Sequence, residues 1–337
     1  MKQSHFVPRA HLAALGGTIA SGAKNSAAAG VVPSVGAGAI LEAVRPFLGD
    51  LQVSTAQLAQ TASTNLDIPM LLQVRDHAVR QIESGEAGVV ITQGTDCIEE
   101  SSFVFDLVNP TARPIVVTGA MRNPTLAGAD GPANVLSALQ VAVSPGLAGQ
   151  GAVVVFNEEI HDPWLVRKTH TSNPATFSSG PSAGPIGWIS EGRVRLVHPP
   201  RPAPRIDIAC DTPIPPVAYL SLTLGDDLRL LRHIHAAGYR GLVLDAFGGG
   251  HIAASMREAV AELAATMPVI YASRTGAGEI LSQTYGFPGS ETDLQTLGCV
   301  SAGVLSSRKA RLVLSLLLAV SPENPLQRWG EFANRYS

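Results

Sequence analysis

Cysteine and net charge are both scarce in this sequence of 337 residues, which carries three cysteines and a formal net charge of −3. Cys97, Cys210 and Cys299 are too widely spaced for a disulfide framework or a zinc site, and they fit a reducing compartment. Because positive and negative charges nearly cancel, we expect no strongly basic face on the surface. We therefore expect neither nucleic acid nor a membrane as a partner. Charged residues make up only 15% and hydrophobic residues 45%, which excludes disorder and a coiled coil.

Long apolar runs are also missing. The longest lies near residues 312–320, far below the roughly 20 residues that span a bilayer. The apolar stretch after Arg9 stops within about six residues, which is too short for a secretory signal. No G-x-x-x-x-G-K-S/T or G-x-G-x-x-G string opens a helix, which argues against a bound nucleotide. We therefore expect a soluble, cytoplasmic protein.

Short apolar segments alternate with helical patterns along the chain. Runs of this kind are typical of strands covered on both faces, and their alternation with helices indicates a mainly parallel α/β sheet. Strands are predicted at residues 11–15, 88–92, 114–118, 152–156, 217–222, 241–246 and 269–273. Helices are predicted at residues 68–83, 98–107, 132–143, 228–237, 255–265 and 307–318.

Proline sets the predicted domain boundary. Residues 187–197 predict a β-hairpin, and residues 198–216 then read HPPRPAPRIDIACDTPIPP. Proline at that density cannot lie in a helix or a central strand, so we interpret residues 199–216 as an extended linker. The fold class predicted is α/β: a larger N-terminal domain, residues 1–198, has a mainly parallel sheet with flanking helices, and a smaller C-terminal α/β domain spans residues 217–337.

Reactive side chains follow several of these strands. Ligands of open α/β sheets bind beyond the carboxyl ends of the strands. LGGTIASG follows the first strand and exposes Thr18, which is a hydroxyl nucleophile, a ligand donor or simply the cap of a tight turn. TQGTDCIEES follows the next, where Thr95 and Asp96 precede a helix whose free N–H groups favour an oxyanion. Alternatively, Thr95 or Asp96 caps that helix, with Glu99 as the carboxylate of a capping box.

Two later segments can each be interpreted in two ways. VRKTHTSNPATF places Lys168 among hydroxyl groups, where it could lower the effective pKa of a hydroxyl or shuttle a proton, or could be a solvated surface lysine. The long glycine-rich stretch VTGAMRNPTLAGADGPAN could hold the walls of a site or form an interface loop.

Together and in this order, LGGTIAS, TQGTDCIEES, VVTGAMRNPTLAGADGPAN and VRKTHTSNPATF closely resemble the bacterial-type L-asparaginase family, which includes the glutaminase-asparaginases. The resemblance covers almost the whole chain and extends to ASRTGAGEI and AGVLSSRKARLVL. It implies hydrolysis of L-asparagine to L-aspartate and ammonia through a threonine acyl-enzyme, with no metal or organic cofactor.

The resemblance also implies a catalytic group. Thr18 matches the threonine that attacks the side-chain amide, Thr95 and Asp96 match the second threonine and its aspartate, and Lys168 matches the lysine that completes the group. The N–H groups of the turn from Gly94 to Asp96 would stabilise the oxyanion.

Substrate binding is implied in the same way. Ser63 matches the serine that binds the α-carboxylate, and Thr64 follows where some members carry glutamine. Asp96 would hold the α-ammonium, together with a glutamate from a neighbouring subunit for which Glu291, in GSETDL, is the best match. A homodimer or homotetramer is therefore expected.

Three departures from the family pattern leave substrate preference open. Residues 21–38, expected to act as a lid, contain no tyrosine, although many members carry one there. Cys97 stands where threonine is usual, and His251 falls near the subunit-crossing asparagine of the family. The alternatives are a glutaminase-asparaginase or D-amino-acid amidase on the same scaffold, or a non-catalytic amino-acid sensor.

Overall fold

A computed structural model describes residues 7–23, 31–33, 35–181, 183–227 and 229–335. The chain divides into two compact units, Met1–Arg205 and Ile206–Ser337. The division falls within residues 199–216, the segment in which the sequence places the linker.

The strands of the first unit are β1 (Arg9–Gly16), β2 (Ser21–Ala23), β3 (Val31–Pro33), β4 (Gln52–Thr61), β5 (Gly88–Thr92), β6 (Ile115–Thr118), β7 (Ala152–Phe156), β8 (Glu159–His161), β9 (Arg167–Lys168), β10 (Phe177–Ser178), β11 (Gly187–Ser190) and β12 (Arg193–Leu196). Its α-helices are α1 (Ala37–Val44), α2 (Ile68–Glu83), α3 (Ile98–Val108) and α4 (Gly131–Ala142). Single 3-10 turns lie at Thr18–Ala20, Arg45–Phe47, Ser63–Asn65, Thr95–Cys97 and Pro145–Leu147.

Eight of these strands form one sheet in the order β12-β11-β8-β7-β6-β5-β1-β4. The five strands from β7 to β4 run parallel, and β8, β11 and β12 add antiparallel partners at one edge. β5, β6 and β7 are buried along their whole length, because helices cover both faces of a parallel sheet. The predicted mainly parallel sheet is confirmed, and so is the hairpin at residues 187–197.

The second unit has a smaller parallel sheet of four strands, β13 (Val217–Ser221), β14 (Gly241–Ala246), β15 (Val269–Ser273) and β16 (Val300–Ser301), in that order. Its helices are α5 (Arg257–Ala264), α6 (Glu291–Thr296), α7 (Ser307–Val320) and α8 (Trp329–Ala333), with 3-10 turns at Leu231–His233 and Ala254–Met256. This agrees with the predicted smaller α/β domain. Within the part of the chain that the structure describes, no helix is long and apolar enough to cross a membrane.

Several short elements, among them α1, α6, α8 and β16, were not predicted, and two larger differences concern an expected helix and a long strand. The helix expected at residues 228–237 is a single 3-10 turn among hydrogen-bonded turns, with residue 228 outside the described residues. Its buried side chains, Leu231 and Ile234, are three positions apart, a spacing that one 3-10 turn satisfies. The ten-residue strand β4 was not predicted, because it lies at the sheet edge and its residues are exposed or only half-buried.

The predicted lid at residues 21–38 falls partly outside the description, since residues 24–30 and 34 are not described. What is described is an antiparallel pair, β2 with β3, followed by the start of α1.

Candidate active site

Three of the expected site residues follow the carboxyl ends of three neighbouring parallel strands. Thr18 lies two residues beyond β1, Ser63 lies two beyond β4, and Thr95 lies three beyond β5. Because β4, β1 and β5 are adjacent and parallel, their carboxyl ends meet at one edge of the sheet. The three loops therefore form the rim at which an open α/β sheet binds its ligand.

Two glycines bring these loops into direct contact. Gly17 has a φ of +81°, a conformation that L side chains rarely adopt, and a Cβ there would lie 2.2 Å from the nitrogen of Gly94. A Cβ on Gly94 would in turn lie 2.8 Å from Oγ of Ser63. The backbones approach each other only because neither residue has a side chain. Thr18, half-buried, consequently lies beside the Gly94–Thr95 turn.

Lys168 joins this edge from a distant part of the chain. Its ammonium nitrogen Nζ donates to Oγ1 of Thr95 at 2.9 Å and to Oδ1 of Asp96 at 2.6 Å. Thr95 is buried, with 6% of its surface exposed, whereas 63% of the Asp96 side chain is exposed. One cation thus lies between a buried hydroxyl and an accessible carboxylate. The interpretation of Lys168 as a solvated surface residue is wrong.

The hydroxyl groups that surround Lys168 in the sequence hold its loop together. Thr169 donates from both its N–H and its hydroxyl to the carbonyl oxygen of Thr176, at 2.8 Å each. Thr176 is fully buried and its hydroxyl donates to the carbonyl oxygen of His170. These bonds continue the antiparallel pair of β9 and β10, and Lys168 is the second residue of β9. The hydroxyl that contacts the ammonium group belongs to Thr95.

Neither Thr95 nor Asp96 is a helix cap. The 3-10 turn Thr95–Cys97 has Gly94 as its N-cap, and α3 has Cys97, with no side-chain cap hydrogen bond at either position. The capping interpretation is therefore wrong, because the turn tightens before α3 begins and both side chains point to Lys168 instead. Glu99 is buried, and Oε2 accepts a hydrogen bond from the backbone N–H of Lys168 at 2.7 Å.

The glycine-rich stretch after β6 forms one wall of this edge. A Cβ on Gly119 would lie 3.3 Å from Cγ2 of Thr95. Asp130 accepts hydrogen bonds from the backbone N–H groups of Met121 and Arg122, and Nδ2 of Asn134 donates to the carbonyl oxygen of Gly119 at 3.0 Å. Of the two interpretations of this stretch, these contacts favour a wall of the site.

The expected carboxylate-binding residues differ in exposure. Ser63 is buried, while Thr64 is exposed. The side chain of Ser63 acts to lower the pKa of the Cys97 thiol. Burial, reinforced by the charges of Glu100 and Asp96, nevertheless raises the pKa of the Cys97 thiol to about 11. Cys97 therefore carries a neutral thiol at this edge near pH 7.

The prediction that Glu291 binds the α-ammonium of the substrate is wrong. Glu291 lies in the second unit with no exposed surface. Oε1 accepts the backbone N–H groups of Thr284 and Tyr285 at 2.8 and 2.7 Å, and Oε2 lies 3.0 Å from Nε2 of His251. A carboxylate whose oxygens are both bonded inside its own unit fixes that unit and is not presented to a substrate. Sequence matching missed this, because burial is not visible in GSETDL.

The comparisons with known proteins agree with this geometry. Residues 9–202 match the family model "Asparaginase, N-terminal", and residues 216–326 match "Glutaminase/Asparaginase C-terminal domain". The probable L-asparaginase of Deinococcus radiodurans is 34% identical over 325 residues, with 93% of each chain covered. The L-asparaginase of Bacillus licheniformis is 32% identical, over 90% of this chain and 93% of the relative. This chain belongs to the asparaginase family.

A solved structure extends the likeness to the asparaginase fold. The probable cytoplasmic L-asparaginase from Campylobacter jejuni has a TM-score of 0.86 and 28% sequence identity, covering 96% of this chain and 99% of its own. The resemblance found in the sequence is thereby confirmed at the level of family and fold.

Proposed function

We propose that this asparaginase-family chain is an L-asparaginase, which hydrolyses L-asparagine to L-aspartate and ammonia through an acyl-enzyme on Thr18. One observation carries the proposal. Nζ of Lys168 lies within hydrogen-bond distance of both Thr95 and Asp96, at the strand edge where Gly17 brings Thr18 against the same turn. A non-catalytic sensor needs Asp96 to hold an ammonium group, but it has no use for a buried hydroxyl beside a lysine.

The chemistry follows from the contacts. A threonine hydroxyl is a poor nucleophile at neutral pH and needs a neighbouring proton acceptor. In the proposed first step, Oγ1 of Thr18 bonds to the side-chain amide carbon and its proton passes to Oγ1 of Thr95, while the Lys168 ammonium gives a proton to the amide nitrogen and takes the Thr95 hydroxyl proton in its place. The carbon–nitrogen bond then breaks and ammonia leaves. Water attacks the resulting β-aspartyl ester, releases aspartate and returns the proton to Thr18.

The 3-10 turn Thr95–Cys97 supplies the positive end of a local dipole. The first N–H groups of a helix have no acceptor within that helix, so those of the Thr95–Cys97 turn can point at an oxyanion. Loss of one such donor typically raises the barrier by about 2.7–4 kcal/mol. The turn from Gly94 to Asp96 is therefore the proposed oxyanion site.

The ends of the amino acid need opposite charges. We assign the α-carboxylate to Ser63, with Thr64 next to it, and the α-ammonium to Asp96, whose side chain is the exposed one. A glutamate from a neighbouring subunit would complete the ammonium site. Glu279 replaces Glu291 in that role, because it is exposed and belongs to ASRTGAGEI, one of the segments that carry the family resemblance.

This assignment includes a homodimer or homotetramer, which a mass measurement in solution tests. We also propose a cytoplasmic location, since the relative from Campylobacter jejuni is described as a probable cytoplasmic L-asparaginase. Cell fractionation tests that part separately.

Thr18→Ala tests the central claim. The expected result is loss of ammonia release from L-asparagine by at least about 10³-fold, as for other removed nucleophiles, with the thermal midpoint preserved. Thr55→Ala, which removes an exposed hydroxyl from the edge strand β4, is the matched control and should retain full activity. Activity within tenfold of wild type in Thr18→Ala would exclude Thr18 as the nucleophile.

The same assay on L-glutamine and D-asparagine decides between L-asparaginase and the two alternative activities, glutaminase-asparaginase and D-amino-acid amidase. One extra methylene is worth only about 1–3 kcal/mol in a pocket, so some glutaminase activity is compatible with the proposal. Turnover of L-glutamine faster than that of L-asparagine would reassign the enzyme.

A further inference from the structure

We propose that Glu99 is a positioning residue, which fixes the main chain of Lys168 so that the lysine ammonium reaches Thr95 and Asp96. This inference rests on the proposed function, because it gives Glu99 a role in the same reaction. The sequence offers this residue only the role of the carboxylate in a capping box.

The first support is that Lys168 is held at two separate points by residues of one short segment. Thr95 and Asp96 bind its ammonium group, while Oε2 of Glu99 accepts its backbone N–H at 2.7 Å. Glu99 follows Thr95 by four positions and lies in the first turn of α3. The contact itself spans 69 positions of sequence. The position of the lysine relative to its partners is therefore set by the turn that carries those partners.

The second support is the shortness of the strand that presents Lys168. β9 is two residues long, and among the described residues its strand pairing, which the bonds of Thr169 to Thr176 continue, is with β10 alone. A lysine side chain loses up to about 2 kcal/mol of rotamer entropy when it is ordered, so a mobile main chain would make the ammonium contacts harder to keep. Glu99 supplies a charge-assisted hydrogen bond to this short strand from outside the β9–β10 pair.

The third support is the burial of the carboxylate. Only 5% of Glu99 is exposed, and buried carboxylates are retained where they accept hydrogen bonds. Its place in the first turn of α3 also suits a negative charge, because the N-terminal end of a helix carries a partial positive charge. A solvated carboxylate would need neither feature.

Catalytic geometry is sensitive to such support. A displacement of about 1 Å, caused by a change away from the reacting atoms, can reduce a rate by about 10²-fold. We expect Glu99 to act on kcat, because Lys168 assists proton transfer, while Ser63 and Asp96 continue to bind the substrate.

Three substitutions of Glu99 test separately the loss of its hydrogen-bond acceptor, the loss of its charge and the shortening of its side chain. Glu99→Ala removes the acceptor and should lower kcat for L-asparagine by about 10- to 100-fold, with KM changed less than about threefold. Glu99→Gln keeps an oxygen at the same reach and should recover most of that loss. Glu99→Asp keeps the charge but is one methylene shorter, and it should resemble Glu99→Ala. Glu100→Gln removes a charge at the next position and should behave like wild type.

A merely structural role makes different predictions. It would lower the thermal midpoint of the three variants in proportion to their loss of activity, and KM would rise as kcat falls. Equal kcat in Glu99→Ala and Glu100→Gln, or full activity in Glu99→Asp with none in Glu99→Gln, would overturn the inference. If Glu99→Ala fails to fold, the comparison of Glu99→Gln with Glu99→Asp still decides it.

Lys168→Met provides the second readout, at enzyme concentrations raised until ammonia release is measurable. If Glu99 acts through Lys168, adding Glu99→Asp to Lys168→Met should change kcat by less than about twofold, since coupled residues are not additive. Additive losses would contradict the inference. Should wild type release no ammonia at all from L-asparagine, the proposed function fails, and this inference fails with it for a distinguishable reason.

Discussion

At the scale of single residues, Cys97 shows how a site can contain a thiol that is chemically quiet. Burial, with the charges of Glu100 and Asp96, raises its pKa to about 11. Only the thiolate reacts with alkylating reagents, and at pH 7 a thiol with that pKa is ionised in about one molecule in 10⁴. We expect iodoacetamide to inactivate the enzyme very slowly at pH 7, with a rate that rises about tenfold per pH unit up to pH 10.

Cys97→Ser is the control for this prediction. Cys299 is buried, with a pKa raised to about 12, and Cys210 is not among the proposed site residues, so the variant should not lose activity on alkylation. Inactivation that is already fast at pH 7 and does not depend on pH would contradict the neutral thiol.

Glu291 makes a prediction about stability. Burial acts to raise the pKa of its carboxyl, but hydrogen bonds from backbone N–H groups and from His251 outweigh this and hold the pKa below its ordinary value of 4.5. A depressed carboxyl pKa stabilises the folded state above the unfolded pKa, and this contribution is lost as the pH falls through the folded pKa.

Glu291→Gln should therefore lower the free energy of unfolding by about 1–3 kcal/mol at pH 7, as expected for hydrogen bonds to a charged group. Urea unfolding from pH 7 to pH 4 measures it, and the difference from wild type should shrink at pH values below 4.5. The KM for L-asparagine should stay unchanged. A raised KM with unchanged stability would restore Glu291 as a substrate contact.

Candidate site residues could be identified from the sequence where they directly follow strands. Contacts between residues far apart in the sequence could not. Thr18, Thr95 and Asp96 could be singled out as candidates because each follows a predicted strand, and their catalytic roles were implied by the family resemblance. Glu99 could not be assigned its partner, because its contact with Lys168 joins positions 69 apart and the local string suggests a cap. Glu291 could be matched in sequence, but only the structure shows that it is buried.

At the scale of elements, the turn after β1 depends on a missing side chain. Gly17 has a φ of +81°, and a Cβ there would lie 2.2 Å from the nitrogen of Gly94 and 2.4 Å from its Cα. Both atoms are backbone, so no rotamer change relieves the clash. Gly17→Ala should push the Thr18 turn away from the Thr95 turn and lower kcat/KM by at least about 10²-fold.

Gly330→Ala is the matched control, because the nearest atom to a Cβ on Gly330 would be Nδ2 of Asn334 at 3.7 Å, an ordinary contact, and Gly330 is a residue of α8. It should leave activity unchanged and stabilise the fold by up to about 1 kcal/mol, since alanine favours a helix more than glycine does. Ammonia release and urea midpoints for both variants test the pair. Wild-type activity in Gly17→Ala would mean that the contact of the two loops is not needed.

Elements with a uniform environment were the predictable ones. β5, β7 and α2 begin and end where the sequence places them, because each is either buried on both faces or strongly amphipathic. β4 lacks such a signal, since it pairs with β1 on one side and its other edge is unpaired among the described residues. An edge strand tolerates polar residues on both faces, so sequence periodicity does not reveal it.

At the scale of the whole molecule, the proposed catalytic group lies within one unit. Thr18, Thr95, Asp96 and Lys168 all belong to Met1–Arg205, whereas Glu279 belongs to Ile206–Ser337. If Glu279 of a neighbouring subunit completes the ammonium site, activity is a property of the assembly. Glu279→Gln should then raise the KM for L-asparagine by about 10-fold or more, the effect of losing a charged contact, with little change in kcat.

Mixing two defective variants tests whether the site is shared. Thr18→Ala has no nucleophile but an intact Glu279, and Glu279→Gln has the nucleophile but a weakened ammonium site. When the two are unfolded together and refolded as mixed oligomers, some sites should combine Thr18 of one chain with Glu279 of the other. A component with the KM of wild type should then appear, although neither variant shows it alone. If each chain completes its own site, mixing yields only the high KM of Glu279→Gln, because no oligomer contains an intact site, and the shared-site proposal fails.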